Sequence, residues 1–579
     1  MNILIKHEKL TSYKRTAPVL IITIALAIFW IIAENRSSGK EMIIDDVPEL
    51  IFSRESGFYD DEFDLIITAP RGKVYYTTDG SVPTSDSIPY TEAIHIIDAT
   101  VDENVYSART DTSTGFRSDL ISEYSSEDPG YMVPDYCVDK CTVIRAVVCY
   151  DDGSYSQVKT CSYFVGFNDK PGYEGMNYIS VVTDPVNLFD YNEGIYVTGR
   201  AFDEYVTDIE NMPWNDTWYL WTANYSRENT TEKPASVQFF DQKGNLLLSQ
   251  LCGLKLKGNG SRGYVCKSLN LVAREEYDGN DHFIYDFWGD GFYPKRLSVF
   301  SGGDDYITKS RDYLIHSLCK DMEFATMKFT PYVMFLDGEY WGVYWLNDKY
   351  DAEYFNNRYG VDKDSVIAVK YSPRYAELEL EEGEETDAEL YYEMMDFCNN
   401  ADMSIDENYR ICFDKYLDYD STIDYYAVML YISRYWDWPQ ANFGLWRTKT
   451  VGNDNYSDGK WRWMMFDVNN EALSADLTDY DSIAWAMYYP FFANLMSNEK
   501  FRTDLLDCIL ELQYTTFSKA SIEKGIQDYH QIMDEPLKLT HKRFWGTEDN
   551  HLYDESLQSL EYFLYQRPDH IDDIVNRYR

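Results

Sequence analysis

The chain has 579 residues, 98 acidic against 52 basic, and a net charge of −46. That length holds roughly two to four domains with buried cores, and so acidic a surface excludes DNA or RNA binding through a general basic face. The hydrophobic fraction is 45%, so the acid content does not mean disorder.

Residues 1–15 carry Lys6, Lys9, Lys14 and Arg15, and Thr16–Ala33 follows as an uncharged, mostly apolar run of 18. Such a run just spans a bilayer as one helix. The flanking charges place a tail of residues 1–15 in the cytosol and the bulk of the chain outside. A single-pass signal anchor is therefore expected over 16–33. The alternative is a cleaved signal peptide with a secreted product, although the run is long for an h-region and lacks an A-x-A site. Residues 34–47 read as a polar spacer. Of ten cysteines, Cys137, Cys141, Cys149 and Cys161 cluster; disulfides and buried thiols are both consistent with them.

From 48 to 166, short strand patterns alternate with turn signals such as Asp79-Gly80 and Asp152-Gly153. A small β-sandwich is expected there, interrupted by a polar insertion over Ala99–Asp135. A second unit starts at Asn177. In it, strand Leu254–Lys257 runs into Gly258-Asn259-Gly260-Ser261-Arg262-Gly263, followed by Lys267. Glycines of this kind let backbone N–H groups approach an anion, and a nearby Lys or Arg supplies charge.

Glu377–Glu389 is an acidic run read as a solvated loop. Ile423, Tyr426, Ala427, Leu430 and Tyr431 have helical spacing, predicting a helix that ends near Trp436, before Pro439. Asp437 and Asn442 follow in an Asp-x4-Asn loop. Two strand-like runs come next, NFGLWRT and KWRWMMF, the second ending in Asp467. Phe491–Arg579 has helical periodicity and is read as a cap on a large lobe. The histidines there have no metal-ligand spacing. The 52 Tyr and 14 Trp fill β-rich cores or line a sugar-binding surface.

The VYYTTDGSVPT and IRAVVCYDDGSYSQV segments resemble the chitobiase C-terminal-like domain, an immunoglobulin-like module that implies spacing or docking rather than chemistry. Five ordered blocks (GNGSRGYVCKSLNL, KSRDYLIHSLCKDM, FLDGEYWGVYWLNDKYD, DWPQANFGLW and KWRWMMFD) resemble the CotH family of spore-coat-H-type proteins with an atypical, protein-kinase-like fold. The implied fold class is α+β. It comprises a two-lobed kinase-like domain over 177–579, with a small lobe at about 177–375 and a large lobe at about 390–579. The immunoglobulin-like β-sandwich and the transmembrane helix precede it.

The resemblance implies transfer of the ATP γ-phosphoryl group to Ser or Thr of an exported protein, with Mg²⁺ or Mn²⁺. Asp437 would be the catalytic-loop Asp. Asn442 and Asp467 would bind the metal, with Asn469 as a weaker companion. Lys267, helped by Arg262, would contact phosphates, Trp461 would stack on adenine, and Arg311 would sit near the site. The family's usual Pro-Trp-Asp-x-Asp is replaced by Met465-Phe466-Asp467-Val468-Asn469, and its Glu after G-x-Y-x-x-x by Asp348. Losing a carboxylate weakens a Mg²⁺ site. The charge suits a basic, Ser/Thr-rich protein substrate. The alternative is a non-catalytic surface protein that binds a partner or a cell-wall glycan.

Overall fold

The computed structural model describes residues 50–116, 131–207, 222–226, 228–372, 377–433, 438–439, 441–452, 455–469 and 472–579. The expected tail, anchor and spacer (1–47) and Asp437 lie outside the described residues. Among those described, no helix is long and apolar enough to cross a membrane.

The N-terminal β-domain contains β1 (Ile51–Phe52), β2 (Gly57–Tyr59), β3 (Phe63–Leu65), β4 (Ile67–Thr68), β5 (Lys73–Thr77), β6 (Ile88–Pro89), β7 (Ile94–Ile96), β8 (Thr142–Cys149) and β9 (Lys159–Val165). A five-stranded sheet, ordered β2-β9-β8-β5-β6, shares one core with the β1–β4 and β3–β7 ribbons. Strand β8 is buried on both faces and mostly apolar; its one charged residue, Arg145, donates to the Gly80 carbonyl at 2.6 Å. Ile144, Ala146 and Val148 face that core, while Val143 packs with Phe164 against Phe335, Tyr340 and Val343 of the next unit. A strand buried on both faces reads as a continuous hydrophobic run. The β-domain is therefore seated on its neighbour.

That neighbour is a closed seven-stranded barrel: β10 (Asn177–Thr183), β11 (Lys233–Phe240), β12 (Leu246–Lys257), β13 (Ser268–Val272), β14 (Arg296–Phe300), β15 (Phe329–Leu336) and β16 (Glu339–Asn347). The order is β10-β11-β12-β13-β14-β16-β15, closed by parallel pairing of β10 with β15. Closure removes the exposed edges that an open sheet would present. Its interior is filled by residues such as Val181, Leu254, Leu271, Trp341 and Tyr344.

A four-stranded sheet ordered β18-β17-β19-β20 follows, built from β17 (Val366–Ser372), β18 (Glu377–Glu382), β19 (Phe443–Thr448) and β20 (Arg462–Met464). Strand β17 pairs with β19 from Val366↔Thr448 to Tyr371↔Phe443. Residues 366–372, expected to close the small lobe, therefore belong to the sheet beyond the barrel. The acidic run is not a solvated loop. Its Glu-Leu alternation forms β18, with Leu378 and Leu380 packed on the large core, as period-2 patterning requires.

The helix predicted from Ser421 spans Tyr419–Tyr431, capped by Asp418, whose side chain accepts the Ser421 N–H. Among the C-terminal helices, Lys519–Trp545 does more than cap the second unit. Its Tyr529, Met533 and Leu537 pack on the barrel side, and Thr540 Oγ1 accepts the Val343 N–H at 3.0 Å.

Candidate functional site

Strand β20 delivers Asp467 to an exposed position with φ of 55°. What surrounds it comes from three directions. The helix Arg311–Leu318 presents Asp312, whose carboxylate accepts the Val468 N–H at 2.9 Å and the Asn469 Nδ2–H at 2.7 Å. Asn469 also donates to Asp467 Oδ1 at 3.2 Å, and its Oδ1 accepts the Asp304 N–H at 3.1 Å. That last contact needs the Gly302-Gly303 turn: Gly303 has φ of 60°, and a Cβ on it would lie 3.0 Å from Asn469 Nδ2. From the barrel, Lys257 at the end of β12 donates to Ser298 Oγ at 2.9 Å, with its ammonium 4.3 Å from the Phe300 ring centroid.

These groups sense one another. Burial, then the charge of Asp467, pushes the Asp312 carboxyl up to about 6. Burial pulls the Lys257 ammonium down to about 7. The neighbouring ammonium groups of Lys349 and Lys370 pull it the same way, and Asp312 and Asp467 oppose the shift. Burial, reinforced by Lys370, lowers Lys349 to about 8. Lys370, on β17, donates to Glu381 Oε1 at 2.9 Å and lies 4.9 Å from the Phe466 ring. The Lys370 charge first, and then Lys349, hold Glu381 at about 2 despite burial. Arg296 joins the two units through Asp351 at 3.4 Å and through Glu382. Lysines and carboxylates thus meet where the barrel end faces the second sheet.

The residues expected to bind nucleotide are placed differently. Lys267 is 0% exposed, and its ammonium is spent on the Arg262 and Tyr264 carbonyls at 2.5 and 2.8 Å, over the Tyr225 ring at 4.0 Å. Arg262 donates to the Gly258, Ser226, Asn229 and Leu256 carbonyls. Both residues hold the glycine-rich turn together and are withheld from solvent, so neither is presented to a phosphate in this structure. The reason is local: the turn folds as a 3₁₀ segment over Gly260–Gly263, and the two cations satisfy its carbonyls.

Trp461 is also 0% exposed, edge-on to Tyr391 and beneath Arg447, so this buried ring is not presented for stacking on adenine. Arg311 ties Asp305, Ala472 and Ser556 together and supports the site from behind. Asn442 stands before β19 with φ of 56°. Asp348 is buried, accepts the Lys328 N–H at 2.9 Å, and is raised by burial to about 7.

Sequence reasoning missed Lys257, Asp312, Lys349, Lys370 and Glu381. Only Lys257 carried a signal, as the strand residue directly before the glycine-rich turn. The amide of Asn469 explains how Asp312 and Asp467 coexist, since one NH₂ group donates to both. Asn469→Asp is expected to set three carboxylates together, lower stability without a divalent cation by about 1–3 kcal/mol, and make the urea midpoint depend on added Mn²⁺. Unchanged midpoints with and without Mn²⁺ would count against this account.

Comparison with known proteins gives two matches, the larger of which begins within β12 of the barrel. A family model described as CotH kinase protein matches residues 254–571, and one described as Fn3 associated matches residues 65–163. No curated protein matches the chain.

Proposed function

The chain belongs to the CotH kinase protein family, with an Fn3-associated β-domain ahead of the family domain. On that premise we propose that it is a two-lobed, protein-kinase-like phosphotransferase that moves the γ-phosphoryl group of ATP to a Ser or Thr hydroxyl. The observation that carries this reading is the hydrogen-bonded set Asp312–Asn469–Asp467 at the end of β20, with the charges of Lys257, Lys349 and Lys370 felt around it. In a protein of net charge −46, three clustered lysines suit a polyanion, and an adjacent exposed carboxylate suits its divalent counter-ion.

Phosphoryl transfer needs charge neutralisation, in-line positioning and a group to take the hydroxyl proton. In this reading Lys257 takes the phosphate-binding role that the sequence suggested for Lys267, with Lys349 and Lys370 beside it. Asp312 adds its charge beside Lys257 and, through Asn469, steadies Asp467. The donor set fits Mg²⁺ or Mn²⁺, which take one or two protein oxygens plus substrate phosphates. Asp467 and the Asn442 carbonyl would hold the ion, whose contribution when bound is to neutralise phosphate charge. Asp437 accepts the proton of the acceptor hydroxyl.

The acceptor is a basic, Ser/Thr-rich protein, and the run Thr16–Ala33 anchors the enzyme in the cell membrane with its bulk outside. Full-length protein, labelled ATP and Mn²⁺ or Mg²⁺ test the activity on a basic Ser-rich acceptor. Asp437→Ala and Asp467→Ala should each lower incorporation by about 10²–10³-fold. Equal labelling by wild type and both variants would sink the kinase reading.

One observation favours a second reading, a non-catalytic surface protein that binds a partner or a cell-wall glycan. An amide, Asn469, stands where the family has a second carboxylate. Thermal shift separates the two readings: stabilisation by ATP with Mn²⁺, lost in Asp467→Ala, belongs to the first. Stabilisation by glycan alone belongs to the second.

A further inference from the structure

Two cysteines outside this site face each other inside the core of the second unit. Cys398 lies in the last turn of the helix Ala388–Asn400, and Cys412 opens the π-helical segment Cys412–Tyr416. They are 14 positions apart, their sulfurs are 3.4 Å apart, and both residues are 0% exposed. Among the described residues no other two cysteine sulfurs are in hydrogen-bond contact.

The surroundings narrow what the pair can do. It belongs to the large apolar core that also holds Met403, Tyr426 and Leu430. No group of three or more metal-ligating side chains occurs among the described residues. The hydrogen bond with Cys412 and then burial disfavour the Cys398 thiolate in the folded core, so neither a reactive nucleophile nor a metal ligand is indicated once the core has closed. What remains is the chemistry of the two sulfurs with each other. A disulfide bond is about 2.0 Å long, so closure requires a movement on the order of an ångström, within the reach of side-chain rotation.

The position of the pair gives the bond a consequence. The Cys398 carbonyl accepts the Asn494 side-chain N–H at 2.8 Å, which links it to the helix Pro490–Met496. The Cys412 carbonyl accepts the Leu417 N–H at 2.9 Å. Directly beyond, Tyr416 and Asp418 exchange backbone hydrogen bonds with Trp461, the residue that leads into β20 and on to Asp467.

We propose that Cys398 and Cys412 join as a disulfide when the chain folds in an oxidising medium, stapling the Ala388–Asn400 helix to the turn that supports β20. In the exchange, one thiolate attacks a small-molecule disulfide such as oxidised glutathione and releases one thiol. The second cysteine then displaces the other. The protein gives up two electrons and two protons, and the oxidised glutathione that accepts them leaves as two reduced thiols. The pairing does not depend on the phosphotransfer reading.

The test is to unfold and reduce the full chain, refold it in a glutathione redox buffer, alkylate remaining thiols and map peptides without reduction. The expected result is one dominant linked pair containing Cys398 and Cys412, with the exposed Cys137 recovered alkylated. The urea midpoint should rise over that of the same protein kept in dithiothreitol, with the unfolding equilibrium shifted by about a hundredfold. That difference should vanish in Cys398→Ala/Cys412→Ala. Recovery of both cysteines alkylated, or their pairing with other cysteines, overturns the proposal. A linked pair with no change of midpoint overturns the staple. The mapping uses the unmodified sequence, so it decides the pairing even if the double variant folds poorly.

Discussion

Lys257→Met is expected to abolish the thermal shift produced by ATP with Mn²⁺ and to cut phosphoryl transfer by about 10²–10³-fold, with the far-UV circular dichroism unchanged. The ammonium of Lys257 is the cation whose charge opposes those of Asp312 and Asp467, and its one hydrogen bond to protein among the described residues is to the Ser298 hydroxyl. Removing it leaves the hydroxyl little disturbed and takes away positive charge where phosphates would sit. Lys267→Met should behave in the opposite way. There the ammonium is fully buried, satisfies the Arg262 and Tyr264 carbonyls, and lies over Tyr225 and Tyr196. Its loss leaves buried acceptors unpaired and should cost about 2–4 kcal/mol of stability, read as a lower urea midpoint. The ATP response should persist below the new melting temperature. If Lys267→Met erases the nucleotide response while Lys257→Met retains it, the sequence-based assignment holds and the geometric one falls.

The two lysines show where sequence reading reached its range. The ordered blocks were legible because each is local: a turn, a strand, a helix start. Which lysine stands near Asp312 and Asp467 is decided by the nine residues between Lys257 and Lys267. There the chain spends a short 3₁₀ turn and draws the second lysine inward to satisfy the turn's own carbonyls. Trp461 is similar. Its spacing from Asp467 matched the family, yet β20 begins inside the core, and the ring belongs to the packing around Tyr391. Asp312 carried no signal, because its meaning comes from Val468 and Asn469, more than 150 positions away. The acidic run 377–389 was misread for a different reason: its charge hid a period-2 Leu pattern that a buried sheet edge uses. By contrast, the helix from Ser421 was legible because its apolar residues repeat at helical spacing and Asp418 caps it, but it ends at Tyr431, short of the expected end near Trp436, with Ser433 already at φ of 55°.

Arg567→Met is expected to lower stability by about 3–5 kcal/mol and to depress turnover more than nucleotide binding. Arg567 is 0% exposed and lies in the C-terminal helix His551–Val575. Its guanidinium donates to the Tyr431 carbonyl at 3.0 Å and the Leu430 carbonyl at 3.2 Å. It also bonds the Thr478 and Tyr480 carbonyls at 2.9 and 3.0 Å. Leu430 and Tyr431 are the last residues of the helix that leads toward Asp437, and the final carbonyls of a helix have no partner within it. A planar, five-donor cation supplies those partners all at once. Met fills the volume but donates nothing, so the helix end and the 478–482 segment lose their common tie at the cost of a broken buried charge network. The helix precedes the proposed acceptor loop in the chain, whereas Lys257 and Asp467 are held by other elements. The ATP–Mn²⁺ thermal shift should therefore survive in the folded fraction while kcat falls. Arg567→Lys keeps the charge without the fork and should lie between wild type and Met in urea midpoint. A Met variant as stable and active as wild type would show that the helix end is held without Arg567.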